Sequence, residues 1–551
     1  LRVIDDSAPL ADLSVLVLGL GISGSAMATW CARQGAAVTI WDSRIEGERV
    51  PGTLASHALR LAAWMRPDGT PAVRLTGGAA HAALLGEHRW VLKSPGLAPG
   101  DPRIAPLLAA AAAEGVPVWG ELELFNRELE RLRNRHGYAP QLLAVTGTNG
   151  KTTTTALTGR LVERAGRRVA VAGNIGPSLL DALQAALDAA PADPSAWPEV
   201  WVLELSSFQL HGVTGFEPSA AVVLNLTQDH LDWHGSMQAY GADKARVWGR
   251  SASSVLVFNR NDAAVVALAD AALAPPAMPS GPRGGKPKVT VSDRPAVSFG
   301  LDAPRRPGDF GLVVENGMAW LVRALDDDEP GAGRRRRGAS TSTDEPPHLQ
   351  RLMPADALRI RGRHNAANAL AALALATAIG CPLAPMLHGL REYSGEPHRV
   401  QHVATVDGID AIDDSKGTNV GATVAAIEGL GRDREPARLA LILGGDGKGQ
   451  DFTPLSDPLG RYARAVATIG RDAPAVEAAI ATACADAGVP VQRHDTLEGA
   501  VQWCFDQCRT GDAVVLSPAC ASLDMFRDYG HRAQVFVDTV HARAAAGGLA
   551  T

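Results

Sequence analysis

Gly147-Thr148-Asn149-Gly150-Lys151-Thr152-Thr153 decides how this chain is read. It follows the apolar run Gln141-Leu142-Leu143-Ala144-Val145-Thr146, which predicts a buried strand, and a stretch of helical character continues to about Gly166. A strand, a glycine-rich turn and a helix starting at Lys-Thr form the layout that cradles polyphosphate. Backbone N–H groups and the helix N-terminus face the anion, Lys151 supplies a cation, and a Thr hydroxyl can hold Mg²⁺. The spacing departs from the usual phosphate-loop pattern, because Val145 stands where the first glycine belongs. The residues downstream strengthen the ATP reading.

Trp201-Val202-Leu203-Glu204-Leu205 reads as an apolar strand interrupted by one acid. A carboxylate in a buried strand is costly unless paired or metal-bound, so Glu204 is a candidate Mg²⁺ ligand, with a paired core acid as the alternative. The strand Val222-Val223-Leu224-Asn225-Leu226 leads to Asp229-His230, which could bind metal or substrate. Lys244 on the next helix reads most simply as a surface charge. Beside metal ions it would help only if neutralised or converted to an anionic carbamate.

Upstream, Gly19-Leu20-Gly21-Ile22-Ser23-Gly24 is a complete G-x-G-x-x-G after the strand Ser14–Leu18, and Asp42 ends a second strand about twenty residues later. The pattern asks for close backbone approach to a pyrophosphate and a carboxylate for a ribose hydroxyl. NAD fits it, as does a UDP-linked ligand, and so does a glycine-rich turn with no ligand. Lys93-Ser94-Pro95-Gly96 is a second turn on the same sheet edge. Downstream, Asp413-Asp414-Ser415-Lys416-Gly417-Thr418-Asn419 and Gly444-Gly445-Asp446-Gly447-Lys448 follow strands and resemble anion-binding loops. His398-Arg399 falls at a domain junction, where a clamped ligand would be touched.

At 551 residues the chain exceeds one hydrophobic core, and its alternating strand and helix patterns predict α/β domains with mostly parallel sheets. Three domains are expected: 10–137, 138–395 and 396–551, the second carrying an irregular insert at about 275–350. Asp326–Glu329 and Arg334–Arg337 lie in that insert and read as a solvated loop whose opposite charges cancel. A net charge of −6 argues against nucleic acid, and no apolar run predicts membrane insertion. The six scattered Cys show no zinc spacing, which suggests free thiols in a reducing cytoplasm.

Taken together, Gly147–Thr153, Glu204-Leu205-Ser206-Ser207-Phe208, Asp229-His230, Lys244, Asn365 with Asn368, His398-Arg399 and Asp414-Ser415-Lys416 resemble, in order, the motifs of the Mur ligase family. Those ATP-dependent amide-forming enzymes build the peptidoglycan stem peptide. Gly19–Gly24, Asp414–Asn419 and Ser517-Pro518-Ala519-Cys520-Ala521-Ser522-Leu523-Asp524-Met525-Phe526 resemble the branch that adds D-glutamate to UDP-N-acetylmuramoyl-L-alanine. The Asp-Asn-Pro-Arg motif of the diaminopimelate-adding branch is missing from the sequence. Tyr529 departs from the pattern, since relatives often have Phe there.

The resemblance implies a bacterial cytoplasmic monomer with a Rossmann-like N-terminal domain, a P-loop ATPase-like central domain and a Rossmann-like C-terminal domain. Gly21, Ile22, Ser23, Asp42, Ser43, Arg44, Ser94, Pro95 and Gly96 would hold the UDP part, and Asn174 and Gln209 the muramoyl-alanine end. Gly147, Thr148, Asn149, Gly150, Lys151, Thr152 and Thr153 would hold ATP phosphates. Asn365, Asn368, Arg399 and Asp414 would hold adenosine. Thr152 and Glu204 would ligate one Mg²⁺, and His230 with a carbamylated Lys244 a second. Lys416, Thr418, Lys448, Ser522 and Tyr529 would hold D-glutamate. Lys151, Glu204, His230 and Lys244 would be the catalytic set. Rival readings are a sister ligase using another amino acid, an NAD-dependent oxidoreductase, and a non-catalytic nucleotide switch.

Overall fold

Strand Ser14–Leu18 is apolar after its first residue and lies at the centre of a five-stranded parallel sheet, in the order 73–76, 37–41, 14–18, 90–93, 118–119. The computed structural model describes residues 2–3, 10–11, 13–46, 49–66, 70–191, 193–274, 294–325, 347–360 and 362–546. The glycine-rich turn runs into helix Ile22–Arg33. A Cβ on Gly24 would fall 1.9 Å from the carbonyl oxygen of Gly19, so turn and helix can close on each other only with glycine there.

Helix Glu121–His136 leads out of this sheet. Glu121 and Glu123 in its first turn and Arg133, Arg135 and His136 in its last complement the helix dipole, and Gly137 ends it in the left-handed conformation at φ 68°.

The second sheet has nine strands, in the order 349–354, 318–324, 310–315, 296–299, 255–259, 220–223, 141–146, 200–204, 169–173. Leu143–Val145, Val200–Leu203 and Ala220–Val223 are buried on both faces, as parallel strands covered by helices on either side must be. Helix Lys151–Arg164 starts at Lys151 itself and packs beside the Ala-rich helix Arg363–Ala378, whose composition favours helix and whose small side chains allow close approach.

The expectation of one irregular insert at 275–350 is corrected in its described part. Ala296–Phe299, Phe310–Glu315 and Met318–Ala324 are strands that extend the central sheet, and Leu349–Pro354 forms its edge. Asn316 (φ 51°) and Gly317 (φ 80°) form the two-residue turn of a hairpin pairing Glu315 with Met318. The charged and Pro-rich runs on either side hid these short strands in the sequence. Asp326–Glu329 and Arg334–Arg337 lie outside the described residues.

The third sheet has the order 401–406, 409–413, 513–516, 439–444, 463–469, 491–493, parallel except for its first pair. Among the described residues no helix is long and apolar enough to cross a membrane. The six Cys are free thiols, five of them buried.

Candidate active site

The carboxyl ends of the central strands open into a cleft of about 860 Å³ whose walls come from all three sheets. Ile22, Ser23 and Pro95 line it from the first. Thr148–Thr153, Asn174, Glu204, Gln209, His230, Asn365 and Asn368 line it from the second. Arg399, Asp414, Lys416, Thr418 and Tyr529 line it from the third. The fold brings these residues, which the sequence offers as separate binding motifs, to one cleft.

The phosphate loop is held open by its neighbours. Gly150 caps the helix at φ 80°, and a Cβ there would lie 2.6 Å from Asn368 Oδ1. Asn225 grips the backbone of Asn149, accepting its N–H at 2.8 Å and donating to its carbonyl at 3.0 Å. The Thr148 hydroxyl accepts the N–H of Thr227 and lies 3.1 Å from the Tyr240 hydroxyl. Lys151 Nζ donates to the carbonyls of Gly147 and Thr148 at 2.9 and 2.8 Å. With three donors, it keeps one for a ligand. Burial pulls its pKa below the usual lysine value, opposed by the Glu204 carboxylate.

Glu204 ends the strand Val200–Glu204 and is buried. Its Oε1 accepts from Asn174 Nδ2 at 2.9 Å, while Oε2 has no hydrogen-bond partner. An ionised oxygen left bare in a dry site is expensive, and a cation is the ligand that would relieve it. Glu204 and the Thr152 hydroxyl, which here accepts from Arg399 Nη2, line the same cleft as hard oxygens, the donor type that suits Mg²⁺. Among the described residues no group of three or more His, Cys, Asp and Glu converges on one point.

His230 sits at φ 53° at the mouth of the cleft, 3.4 Å from Asp229 Oδ2, with Phe208 against its ring. Burial lowers its pKa, Asp229 works the other way, and Lys448, Lys151 and Lys244 add to the lowering. Lys244 is not a surface charge: it is fully buried, its Nζ donating to the Gly147 carbonyl at 2.8 Å. It lies behind the phosphate loop and does not line the cleft. Burial, reinforced by the charge of Lys151, holds it well below the usual lysine pKa.

In the first domain Asp42 is engaged within the protein. Its Oδ2 accepts the N–H of Leu20 at 2.8 Å, and both oxygens accept from Arg44. Burial pushes its pKa up, but these donors outweigh burial and the net shift is down. The carboxylate therefore braces the glycine-rich turn. Ser94 Oγ donates to the Gly19 carbonyl at 3.1 Å and ties the two turns together. Gly21, Ser43, Arg44 and Gly96 lie on this sheet edge without lining the cleft.

In the third domain Asp414 is buried, and burial pushes its pKa up to about 7. The Ser517 hydroxyl donates to its Oδ2 at 2.6 Å. The Lys416 ammonium lies 5.2 Å from the Tyr529 ring centre, within reach of a cation–π contact. Lys448 is exposed at φ 51° and Ser522 is buried; neither lines the cleft.

Asn225, Thr227, His364 and Glu396, to which the sequence gives no site role, also line the cleft, as does Asn419 at the end of the 413–419 loop. His364 is half-buried with an unpartnered Nδ1, and burial lowers its pKa to about 4. Its position immediately before Asn365, the hydrogen-bond partner of Asn368, would not single it out, but the run His364-Asn365-Ala366-Ala367-Asn368 on one helix could have.

Three family profiles match the chain in order: Mur ligase MurD-like, N-terminal domain, over 13–120; Mur ligase middle domain, over 145–277; and Mur ligase, glutamate ligase domain, over 398–520. The chain is 54% identical over 531 residues to the UDP-N-acetylmuramoylalanine–D-glutamate ligases of Burkholderia mallei and Burkholderia pseudomallei, covering 96% of this chain and 96% of each relative. Among solved structures it resembles the MurF ligase of Thermotoga maritima in complex with ADP. That match has a TM-score of 0.55 and 14% identity, and covers 93% of this chain and 95% of that one. It also resembles the UDP-N-acetylmuramate-alanine ligase MurC of Thermotoga maritima, with a TM-score of 0.53 and 18% identity over 96% of this chain and 99% of that one. At these identities the structural likeness speaks for the fold.

Proposed function

This chain belongs to the Mur ligase family, and from that premise we propose that it joins D-glutamate to UDP-N-acetylmuramoyl-L-alanine with ATP, in cytoplasmic peptidoglycan precursor synthesis. The observation that carries the reading is the cleft itself. One space is lined by the phosphate loop, the bare oxygen of Glu204, the Ile22-Ser23 turn and the Lys416–Tyr529 pair, so three substrates can meet there.

The chemistry asked of the site is activation of a carboxylate. An ionised carboxyl is a poor electrophile, and taking up the γ-phosphoryl of ATP turns it into an acyl phosphate with a good leaving group. The amine of the amino acid then attacks the acyl carbon, and the C–O bond to phosphate breaks as the C–N bond forms. Lys151 and the loop N–H groups face the charge that builds on the transferring phosphoryl. Arg399 reaches the same region from the third domain, its Nη2 2.6 Å from the Thr152 hydroxyl.

Thr152 and Glu204 would hold one Mg²⁺; His230 would hold a second, which a carbamylated Lys244 would join only by leaving the Gly147 carbonyl it now meets behind the phosphate loop. Such ions neutralise phosphate charge and orient the transferring group. Asn174, bound to Glu204 Oε1, and Gln209, whose Oε1 accepts from the N–H of Ser206 at 3.0 Å, would orient the muramoyl-alanine end. Asn365, Asn368, Asp414 and Arg399 would hold adenosine. Lys416, Thr418 and Tyr529 would hold D-glutamate, with Lys448 and Ser522 recruited from outside the present cleft. With all three sites on one chain, a monomer suffices.

An NAD-dependent oxidoreductase is disfavoured because it leaves the phosphate loop at Gly147–Thr153 without a purpose. The test is product analysis. ATP, Mg²⁺, UDP-N-acetylmuramoyl-L-alanine and D-glutamate should yield the amide by mass spectrometry. ATP consumption without an amide would refute the proposal.

A further inference from the structure

Asn419 spends both ends of its amide. Its Oδ1 accepts the N–H of Ala422 at 2.9 Å and caps helix Val420–Arg434. Its Nδ2 donates across the domain junction to Asn149 Oδ1 in the phosphate loop, at 3.0 Å. The Ala422 N–H requires an acceptor, which fixes the orientation of the amide and leaves Nδ2 facing Asn149. Asn149 is thus gripped twice, its backbone by Asn225 from its own domain and its side chain by Asn419 from the next.

The surroundings are built for this approach. Gly421, in the first turn of the capped helix, faces Thr227 and Asn149. A Cβ there would come within 3.1 Å of Thr227 Oγ1 and 3.2 Å of Asn149 Nδ2. Arg399, on the same domain as Asn419, brings its guanidinium to the Thr152 hydroxyl. The two contacts act on one loop from one domain. What holds the domain docked therefore also holds the Arg399 charge beside the phosphates.

We propose that Asn419 is a positioning residue that fastens the third domain to the phosphate loop, so that ATP is held by a loop already tied to the domain carrying Arg399. The proposal rests on the reading of that loop as the ATP site. It makes the residue after Thr418, a candidate amino-acid contact, the mechanical link between the amino-acid domain and ATP.

The two roles of the amide separate by substitution. Asn419→Ser keeps a good helix cap but is too short to reach Asn149, whereas Asn419→Ala loses both cap and link. The full-length chain and both variants are titrated with a non-hydrolysable ATP analogue and Mg²⁺, and their melting temperatures recorded. The expected result is that Asn419→Ser binds the analogue about three- to tenfold more weakly, the worth of one lost hydrogen bond, at an unchanged melting temperature. Asn419→Ala should show the same loss of affinity and melt earlier. Wild-type affinity in Asn419→Ser would overturn the proposal and leave Asn419 a helix cap, as would a loss that only follows a fall in melting temperature. No analogue binding by the wild-type chain would instead overturn the ATP reading.

Discussion

The Nζ of Lys244 lies 2.8 Å from the carbonyl oxygen of Gly147, and the Nζ of Lys151 lies 2.9 Å from the same oxygen. Two ammonium groups on one acceptor repel each other. Burial and Lys151 hold Lys244 well below the usual lysine pKa, so Lys244 is the one driven towards the neutral amine. A neutral amine is the form that adds CO₂. Bicarbonate-free, degassed buffer should therefore lower kcat, and added bicarbonate should restore it. Lys244→Met should lose roughly a hundredfold in kcat and stay indifferent to bicarbonate. A wild-type rate independent of bicarbonate would contradict the carbamate.

Glu204 presents one oxygen to Asn174 and leaves the other bare in the cleft. Glu204→Gln should cost roughly a hundredfold in kcat and weaken the response of the rate to Mg²⁺. Asn174→Ala removes the hydrogen bond that supports Glu204 as well as its contact to the muramoyl-alanine end and should cost about tenfold. Steady-state rates across a Mg²⁺ titration check both. A Glu204→Gln enzyme with the wild-type Mg²⁺ curve would exclude Glu204 as a ligand.

Asp414 makes stability depend on pH in an unusual direction for a carboxyl. Burial raises its folded pKa to about 7, above its ordinary value, so the folded state holds this proton more tightly than the unfolded chain. The stabilising contribution is full below the ordinary carboxyl range and is lost as pH rises towards 7. Asp414→Asn should flatten that part of the profile and gain relative to wild type at pH 8 more than at pH 5. Urea unfolding at the two pH values measures it. A wild-type excess of stability that grows with pH through this window, and vanishes in Asp414→Asn, would contradict the assignment.

Asp42 braces the first glycine-rich turn through Leu20 and Arg44. Asp42→Ala should raise KM for the UDP substrate with a smaller change in kcat, and should destabilise the first domain by about 1–3 kcal/mol, because the Leu20 N–H loses its buried acceptor. Kinetics and thermal unfolding check the two effects.

Much of this was legible because it is written in local sequence. The phosphate loop, the strand carrying Glu204 and the glycine-rich turn at Gly19–Gly24 each combine an apolar run with punctuation at a fixed spacing, and each folds as read. Lys244 was not legible as a buried residue. A lysine on a polar helix becomes buried only when the helix packs behind a loop almost a hundred positions away. The Asp42–Leu20 and Asn419–Asn149 hydrogen bonds were hidden for a related reason: their partners come within reach only in the fold. The strands at 296–324 were masked by the charged and Pro-rich runs around them, though Asn316-Gly317 was a hairpin signal in plain view.

The most direct test of the central claim is phosphate release with ATP, Mg²⁺ and UDP-N-acetylmuramoyl-L-alanine, adding D-glutamate, L-glutamate, L-lysine or meso-diaminopimelate in turn. The account predicts release with D-glutamate alone. Release driven by another of these amino acids, or by none, would contradict it.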